Sequence, residues 1–346
     1  MAGWLPIEIV LNLYPTMVWP GMVPEATVRW MQFRGKRLSE PFFRQSVAVL
    51  RESECPAWEI ETGINSVIRE GKRTPAPSPA GFIFHMSRCG STLISNALKV
   101  LEGIQVVAEA HPINRVFMPC RPPNNSSPDA RQDEDRGKLA GGLFNLFSCY
   151  RTGVPEPTVI KFASQNSLCL PTIRALWPDV PCLFVIRDPV EVLVSNLKNG
   201  IPNRFTESPA LAFALGEVDS APPMIESSFE DICARILGRY LEAAIRETGS
   251  NVRIIDYDDI NQASIWEITK FFHIDAPLNR VRLNEVFQQY SKDPTGNRPF
   301  HSDRHEKLQG ASTQMINAAN RWVRPHYTYL RSQSRWTRLI SQISEL

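Results

Sequence analysis

A chain of 346 residues that is 43% hydrophobic and 21% charged has the composition of an ordinary globular protein and is long enough to bury a sizeable core. With 38 Lys and Arg against 36 Asp and Glu the net charge is only +2, so neither nucleic acid nor an anionic membrane surface is indicated as a partner, and any positive potential has to be local. The seven cysteines (55, 89, 120, 149, 169, 182, 233) are scattered and never form a CxxC pair, which speaks against a disulfide framework or a zinc site and for a reducing compartment.

The first residues, MAGWLPIEIVLNLYP, have no basic n-region and carry Glu8 inside the apolar stretch, a poor match to a signal peptide. No apolar run approaches the roughly 18 residues of a membrane helix, so the sequence reads as soluble and cytoplasmic. Residues 1–71 are rich in Trp and Phe (Trp4, Trp19, Trp30, Phe33, Phe42, Phe43) and form an ordered N-terminal extension, in which SEPFFRQSVAVLR opens a helix. KRTPAPSPA, 72–80, reads as a stiff linker because three prolines stand among small residues. From 81 to 346 strand and helix signals alternate as one domain. GFIFHM (81–86) is a buried strand, followed by a helix over 91–101 and the strand IQVVAE (104–109). CRPPNNSSPDARQDEDRG, 120–137, is too polar and Pro-rich to pack and reads as a mobile loop or lid. A helix over 137–149, the strand TVIKFA (158–163), the helix NSLCLPTIRALW and the strand PCLFVI (181–186) come next. Helices over 189–199 and 225–247, the strand NVRIIDY (251–257) and a helix over 260–272 complete the pattern. Short, continuously apolar strands alternating with helices predict an α/β three-layer sandwich with a central parallel sheet covered on both faces.

Ligands of such sheets bind at the carboxyl ends of the strands. MSRCGST, 86–92, sits at one of those ends and opens a helix, where free backbone N–H groups and the helix dipole favour an anion. Gly90 lets the backbone approach a ligand, and Ser91 and Thr92 add hydroxyl donors. Against the triphosphatase pattern GxxxxGK[ST], His85 replaces the first glycine and Ser91 the lysine. The loop keeps a phosphate cradle and lacks the lysine that accompanies Mg²⁺-bound β- and γ-phosphates. A strand–turn–helix with no ligand fits this segment as well when it is taken alone.

A second strand end adds to it. CLFVIRDPVEVLVSNL places Arg187 directly after a strand, with Asp188 as helix N-cap and Pro189 at the first helical position. Ser195 lies two turns along, on the face that can look back at Arg187. The pair resembles the 3′-phosphate site of the sulfotransferases, where an Arg ending a strand and a Ser in the next helix have this spacing. Arg88-Cys89-Gly90-Ser91-Thr92 resembles the 5′-phosphosulfate loop of the same family, and RIIDYDDI (253–260) resembles its late Tyr-Glu-Asp-Leu strand end, with Tyr257 in the tyrosine position. The resemblance covers residues 80 to 300. It implies a P-loop-type fold and the donor co-substrate 3′-phosphoadenosine 5′-phosphosulfate (PAPS), with no metal. It also implies sulfuryl transfer to a hydroxyl or amine of a small-molecule acceptor and release of 3′,5′-ADP. Arg88 then neutralises the transferring group, as in protein-tyrosine and several bacterial members, and Cys89 to Thr92, Arg187, Ser195 and Tyr257 hold the donor.

An attacking hydroxyl must lose its proton, which calls for a general base. The histidine that cytosolic steroid and phenol members carry in a Lys-Thr-His segment is Ala163 in the matching VIKFAS, while Lys161 falls on the lysine. Protein-tyrosine members use a glutamate at the end of the strand after the first helix, which points to Glu109, with His111 two residues on as the alternative. Lys161 is implied to act with Arg88 on the bridging oxygen and the sulfuryl group. SKDPTGNRPFHSDRHEKL, 291–308, gathers Lys292, Arg298, Arg304 and Lys307 where the family has a basic closing loop, without its Arg-Lys-Gly; Lys292 and Arg298 are the ligands it offers. The 1–71 segment and the 120–137 loop are candidate walls of the acceptor pocket. Two rival readings stay open: a P-loop small-molecule kinase with Asp188 as its acidic strand end, and a nucleotide-binding protein whose catalysis has lapsed. Neither the acceptor nor the oligomeric state, homodimer included, is legible.

Overall fold

The computed structural model of the chain describes residues 3–10, 26–118, 130–198, 228–249, 251–277 and 279–334. Trp19, Cys120 and the first ten residues of the 120–137 stretch lie outside them.

The aromatic N-terminal segment folds as an antiparallel sheet. Trp4–Val10 (β1), Thr27–Gln32 (β2) and Glu59–Gly63 (β3) pair in the order β1-β2-β3. On β2 the side chains of Val28 and Trp30 are buried, while Arg29 on the other face pairs across the strands with Glu8 at 2.8 Å. Helix α1 (Phe43–Arg51) precedes β3, and α2 (Asn65–Arg73) follows it. α2 thus runs into the Pro-rich stretch, and regular structure stops only at Thr74.

The main sheet is built from β4 (Gly81–His85), β5 (Gln105–Ala108), β6 (Thr158–Lys161), β7 (Cys182–Ile186) and β8 (Val252–Asp256). All are parallel, in the order β5-β6-β4-β7-β8. Every residue of β4, β5, β6 and β7 is buried. Successive strand residues point to opposite faces, so both faces are covered, and this is why these strands are apolar without alternation. The sheet is α/β with crossover helices, as the alternating sequence pattern predicts. Between β4 and β7 the crossovers are α3 (Ser91–Lys99), α4 (His111–Val116), α5 (Ala130–Cys149) and α6 (Leu170–Leu176). Beyond β7 come α7 (Pro189–Leu197), α8 (Phe229–Arg246) and α9 (Gln262–Phe271). The C-terminal part adds α10 (Arg280–Gln288), α11 (Arg304–Gln309), α12 (Thr313–Trp322) and α13 (Arg324–Gln333). Tyr327 of α13 donates to Asp256 at the end of β8 at 2.7 Å.

One prediction from the sequence is corrected here. Residues 130–137 are the first two turns of α5 and not part of a loop. Their charges are arranged to support a helix: Lys138 pairs with Glu134, one turn before it, at 2.8 Å, and the buried Leu139, Ala140 and Leu143 follow.

The N-terminal segment shares one hydrophobic core with the main sheet. Its tightest junction is the crossing of α2 on α5, where a Cβ on Gly71 would stand 2.4 Å from the Cα of Gly142. Asn145 closes the crossing by donating to the Gly71 carbonyl at 3.0 Å. Gly71→Ala should therefore lower stability by about 1–3 kcal/mol, the cost of overpacking a tight contact. Gly141→Ala, one residue from the same crossing but with nothing within 4 Å of its added Cβ, should be neutral or stabilising by up to about 1 kcal/mol through helix propensity. Denaturant midpoints of the two variants measure the contrast, and equal shifts would show that the crossing does not constrain α2.

Candidate active site

β4 and β7 are neighbours whose connections leave in opposite directions, toward β5 and β6 on one side and toward β8 on the other. That is the switch point at which open α/β sheets bind ligands. A cleft of about 1000 Å³ opens there, at the upper end of the roughly 300–1,000 Å³ usual for small-molecule sites.

The turn after β4 is held in a sparsely populated conformation. Ser87, Arg88 and Gly90 have φ of 81°, 48° and 87°, in the left-handed region that side chains other than glycine seldom adopt. Helix α7 keeps them there: Ser87 donates through its hydroxyl to Asn196 Oδ1 at 3.1 Å, and Arg88 Nε donates to Ser195 Oγ at 2.9 Å. Below the turn, Cys89 is fully buried with its Sγ donating to the Val185 carbonyl at 3.2 Å. Burial pushes that thiol up to about 11, so Cys89 offers backbone and not thiolate. Gly90 is required twice, by its φ and because a Cβ would lie 2.7 Å from the Tyr257 ring. The turn ends at Ser91 and Thr92, where α3 begins with its backbone N–H groups free to meet an anion.

Arg187 follows β7, its guanidinium 3.9 Å from the centre of the Tyr257 ring. It is buried, and its Nε donates to Glu191 Oε2 at 3.0 Å. Glu191 also takes Arg304 at 3.1 Å, Arg304 reaches Asp258 at 3.0 Å, and Asp303 holds Lys307 at 2.9 Å. The serine two turns along from Arg187 thus serves Arg88, and the charge partner of Arg187 is Glu191.

Glu109 stands at the end of β5 with φ 54°, its N–H donating to the Lys161 carbonyl at 2.8 Å. Its carboxylate accepts a hydrogen bond from Lys161 Nζ. The Lys161 side chain has no exposure and Glu109 has 27%, so the carboxylate faces the cleft and the ammonium sits behind it. Burial alone would raise the Glu109 carboxyl; the charge of Lys161 and the hydrogen bond from its ammonium outweigh it and hold the group well below the usual carboxylate range. His85 is buried, with Nε2 donating to the Phe162 carbonyl at 3.1 Å and Nδ1 accepting from the Ser87 N–H at 3.1 Å. Burial and then the Lys161 charge push it down to about 4, so it is neutral and fixed in one tautomer. His111 opens α4 with an exposed ring on the cleft, its pKa lowered by desolvation first and by Arg115.

Of the residues singled out in the sequence, Arg88 to Thr92, Glu109, His111, Arg187, Ser195, Tyr257 and Lys292 line this cleft. Two do not. Lys161 lies beneath Glu109. Arg298 lies over the Tyr290 ring at 4.6 Å in an exposed turn closed by Asp293, because the Asp293 carboxylate accepts from the backbone of 295, 297 and 298 and turns the chain outward. Sequence reasoning passed over His85 and Phe42 as site residues. A histidine ending an otherwise apolar buried strand was the available signal for the first; nothing local marks the second, which comes from the N-terminal segment to place its ring 5.4 Å from Lys161 Nζ. Among the described residues no group of three His, Cys, Asp or Glu side chains is placed to hold a metal ion.

Comparison with known proteins finds no matching protein family and no matching curated protein. Solved structures with a similar fold include the sulfotransferase domain of the Synechococcus PCC 7002 olefin synthase, 14% identical, covering 71% of this chain and 94% of that one at a TM-score of 0.43. The sulfotransferase domain from the curacin biosynthetic pathway is 12% identical, covering 71% of this chain and 98% of that one at 0.45. A mouse sulfotransferase complexed with PAP is 13% identical, covering 81% and 93% at 0.35.

Lys292 is the cation of the cleft whose charge is easiest to change. The segment carrying it is tied to α3 by Asn96, which donates to the Ser291 carbonyl at 2.7 Å. Burial, and then the charges of Arg88 and Lys161, push Lys292 down to about 8. A lowered lysine pKa means the charge is present below about pH 8 and lost above it, so anion affinity should fall as the pH rises through that value. The rise in melting temperature given by inorganic pyrophosphate should shrink between neutral pH and moderately alkaline pH, and Lys292→Arg should abolish the shrinkage. A stabilisation that stays flat through pH 8 in the unmodified protein would remove Lys292 from the anion site.

Proposed function

We propose that this protein is a PAPS-dependent sulfotransferase acting on a hydroxyl or amine of a small-molecule acceptor and releasing 3′,5′-ADP. The observation that carries the reading is the switch-point cleft. It sets an arginine-bearing anion cradle, with a serine where a triphosphatase has lysine, beside a carboxylate held ionised at the next strand end. The residues present fit the donor. Arg88, the N–H groups of α3 and the Ser91 and Thr92 hydroxyls suit the phosphosulfate, and Lys292 adds charge on the same side. Arg187 against Tyr257 suits a second phosphate. In the transfer, the acceptor oxygen bonds to sulfur as the bond from sulfur to the phosphate oxygen breaks. The acceptor proton passes to the Glu109 carboxylate, and Arg88 balances charge on the departing oxygen. Lys161 acts through Glu109, fixing the direction of its carboxylate.

The kinase reading has less support. Its acidic strand-end residue, Asp188, is fully engaged: Oδ1 accepts from the N–H of Val190 at 2.9 Å and of Glu191 at 3.3 Å, and Oδ2 takes Arg324 at 2.6 Å. Incubation with labelled PAPS and a metabolite extract should yield a sulfated product in excess EDTA, whereas strict Mg²⁺ dependence with consumption of ATP would favour the kinase. Arg187→Ala removes charge-assisted hydrogen bonds worth roughly 1.5–3 kcal/mol and should weaken 3′,5′-ADP binding about ten- to a hundred-fold while sparing 5′-AMP. Equal losses for both nucleotides would take the 3′-phosphate away from Arg187.

Glu109→Gln should lower kcat by about 10²–10⁴-fold, the usual contribution of a general base, with 3′,5′-ADP affinity kept. It also leaves the Lys161 ammonium buried without a counter-charge, so stability should fall as well, and the nucleotide affinity reports that the measured protein is folded. His111→Gln should cost far less. Because the folded carboxyl lies below its ordinary range, its basic form persists on acidification, and the acid limb of the rate profile should fall below about pH 4.3, the ordinary glutamate value. A limb between pH 5 and about 6.5, together with an inactive His111→Gln, would transfer the role to His111.

A further inference from the structure

The part of the cleft around Glu109 contains two arginines that no carboxylate among the described residues answers. Arg44, near the start of α1, and Arg115, in α4, both line it. The Phe42 ring has the Lys161 ammonium 5.4 Å from its centre and the Arg44 guanidinium 5.7 Å from it. Arg115 belongs to the helix that begins two residues after Glu109. Both arginines therefore belong to elements next to the Glu109–Lys161 pair, Arg44 through Phe42 and Arg115 through α4. At the turn after β4, Arg88 and Lys292 likewise have no carboxylate within 4.0 Å among the described residues and face the donor site, whereas Arg187 is matched by Glu191 and Lys307 by Asp303. Among the described residues, neither Arg44 nor Arg115 has a carboxylate within 4.0 Å. Arg115 Nη1 meets the Met118 sulfur at 3.1 Å, a weak acceptor, and Arg44 meets only the face of Phe42. Glu8, whose charge acts on His111, is held by Arg29 at 2.8 Å.

Two guanidinium groups in one cleft, each with donors to spare, suit an oxyanion that accepts bidentate hydrogen bonds. Phe42 and Met118 wall the same space and suit a carbon body. We propose that the acceptor is itself an anion: a small hydroxylated molecule whose carboxylate, or other small oxyanion, is held by Arg44 and Arg115 while its hydroxyl meets Glu109. This inference rests on the sulfotransferase reading and specifies its acceptor class. The arginines are specificity-determining and take no part in the proton transfer.

The test compares p-hydroxyphenylacetate with its amide, which has the same shape but no charge and offers one acceptor oxygen in place of two. Protein saturated with 3′,5′-ADP is titrated with each by calorimetry, and the same pair is offered as acceptors with labelled PAPS. The acid should bind at least roughly tenfold more tightly than the amide, as expected for a charge-assisted hydrogen bond. Arg44→Gln and Arg115→Gln should each erode that preference, leaving binding of the amide and of 3′,5′-ADP unchanged. Equal binding of acid and amide by the unmodified protein, including none of either, overturns the inference, as do variants that weaken both alike; the donor assignment survives those results. Failure of the unmodified protein to bind 3′,5′-ADP would remove the sulfotransferase reading itself, and this inference with it.

Discussion

The site is organised by a lysine that has no water. Lys161 has a fully buried side chain at the end of β6, and removing an ammonium from solvent costs several kcal/mol unless it is paired. Its counter-charge is Glu109, the residue after β5, which holds a left-handed backbone at φ 54° and from there reaches Lys161 with both its carboxylate and its N–H. The effect spreads through the low-dielectric interior. The same ammonium contributes to pushing His85 down to about 4, Lys99 to about 7 and Lys292 to about 8, each after burial itself. A single buried charge thus biases the protonation of the groups around the cleft, and the aromatic face of Phe42 completes its surroundings.

Residues 3–10 and 26–73 take part in this arrangement as a wall of the same core. Arg37 and Lys99 bind them to the end of α3, Arg37 donating to the Leu101 carbonyl and Lys99 to the Glu40 carbonyl. The crossing of α2 on α5 fixes the segment from the other side. Phe42 and Arg44 reach the cleft from a segment of chain separate from β4 and β7, whose end loops form the rest of the cleft.

The strands of the parallel sheet were legible because burial on both faces leaves an uninterrupted apolar run, and the turns at 86–92 and 187–189 because glycine, proline and an N-cap aspartate carry local geometry. The N-terminal strands were less legible. Their alternation is short, and their pairing joins Glu8 to Arg29 across 21 positions of sequence. Side-chain direction was the harder quantity. Spacing places Ser195 on the face toward Arg187, yet its hydroxyl serves Arg88, because the left-handed turn swings that arginine over α7. Lys161 looks from sequence like a cation at a strand mouth, and only the packing of Phe42 and Glu109 above it shows that it is sealed. Arg298 fails for a local reason that the sequence did contain: an aspartate followed by Pro-Thr-Gly folds back on itself.

Tyr257 touches both strand-end loops of the cleft, the Gly90 turn with its ring edge and Arg187 through cation–π contact. The ring is thereby a spacer. The gap between cradle and guanidinium is fixed by the bulk of one rigid aromatic group anchored at a third strand end, and hardly at all by the rotamers of the groups that bind. On the proposed donor assignment, a cleft built this way selects ligands by the span between two anionic groups as well as by their charge. Two singly charged anions, free to settle independently, would draw no benefit from that span; one rigid molecule carrying both charges at the matching separation would.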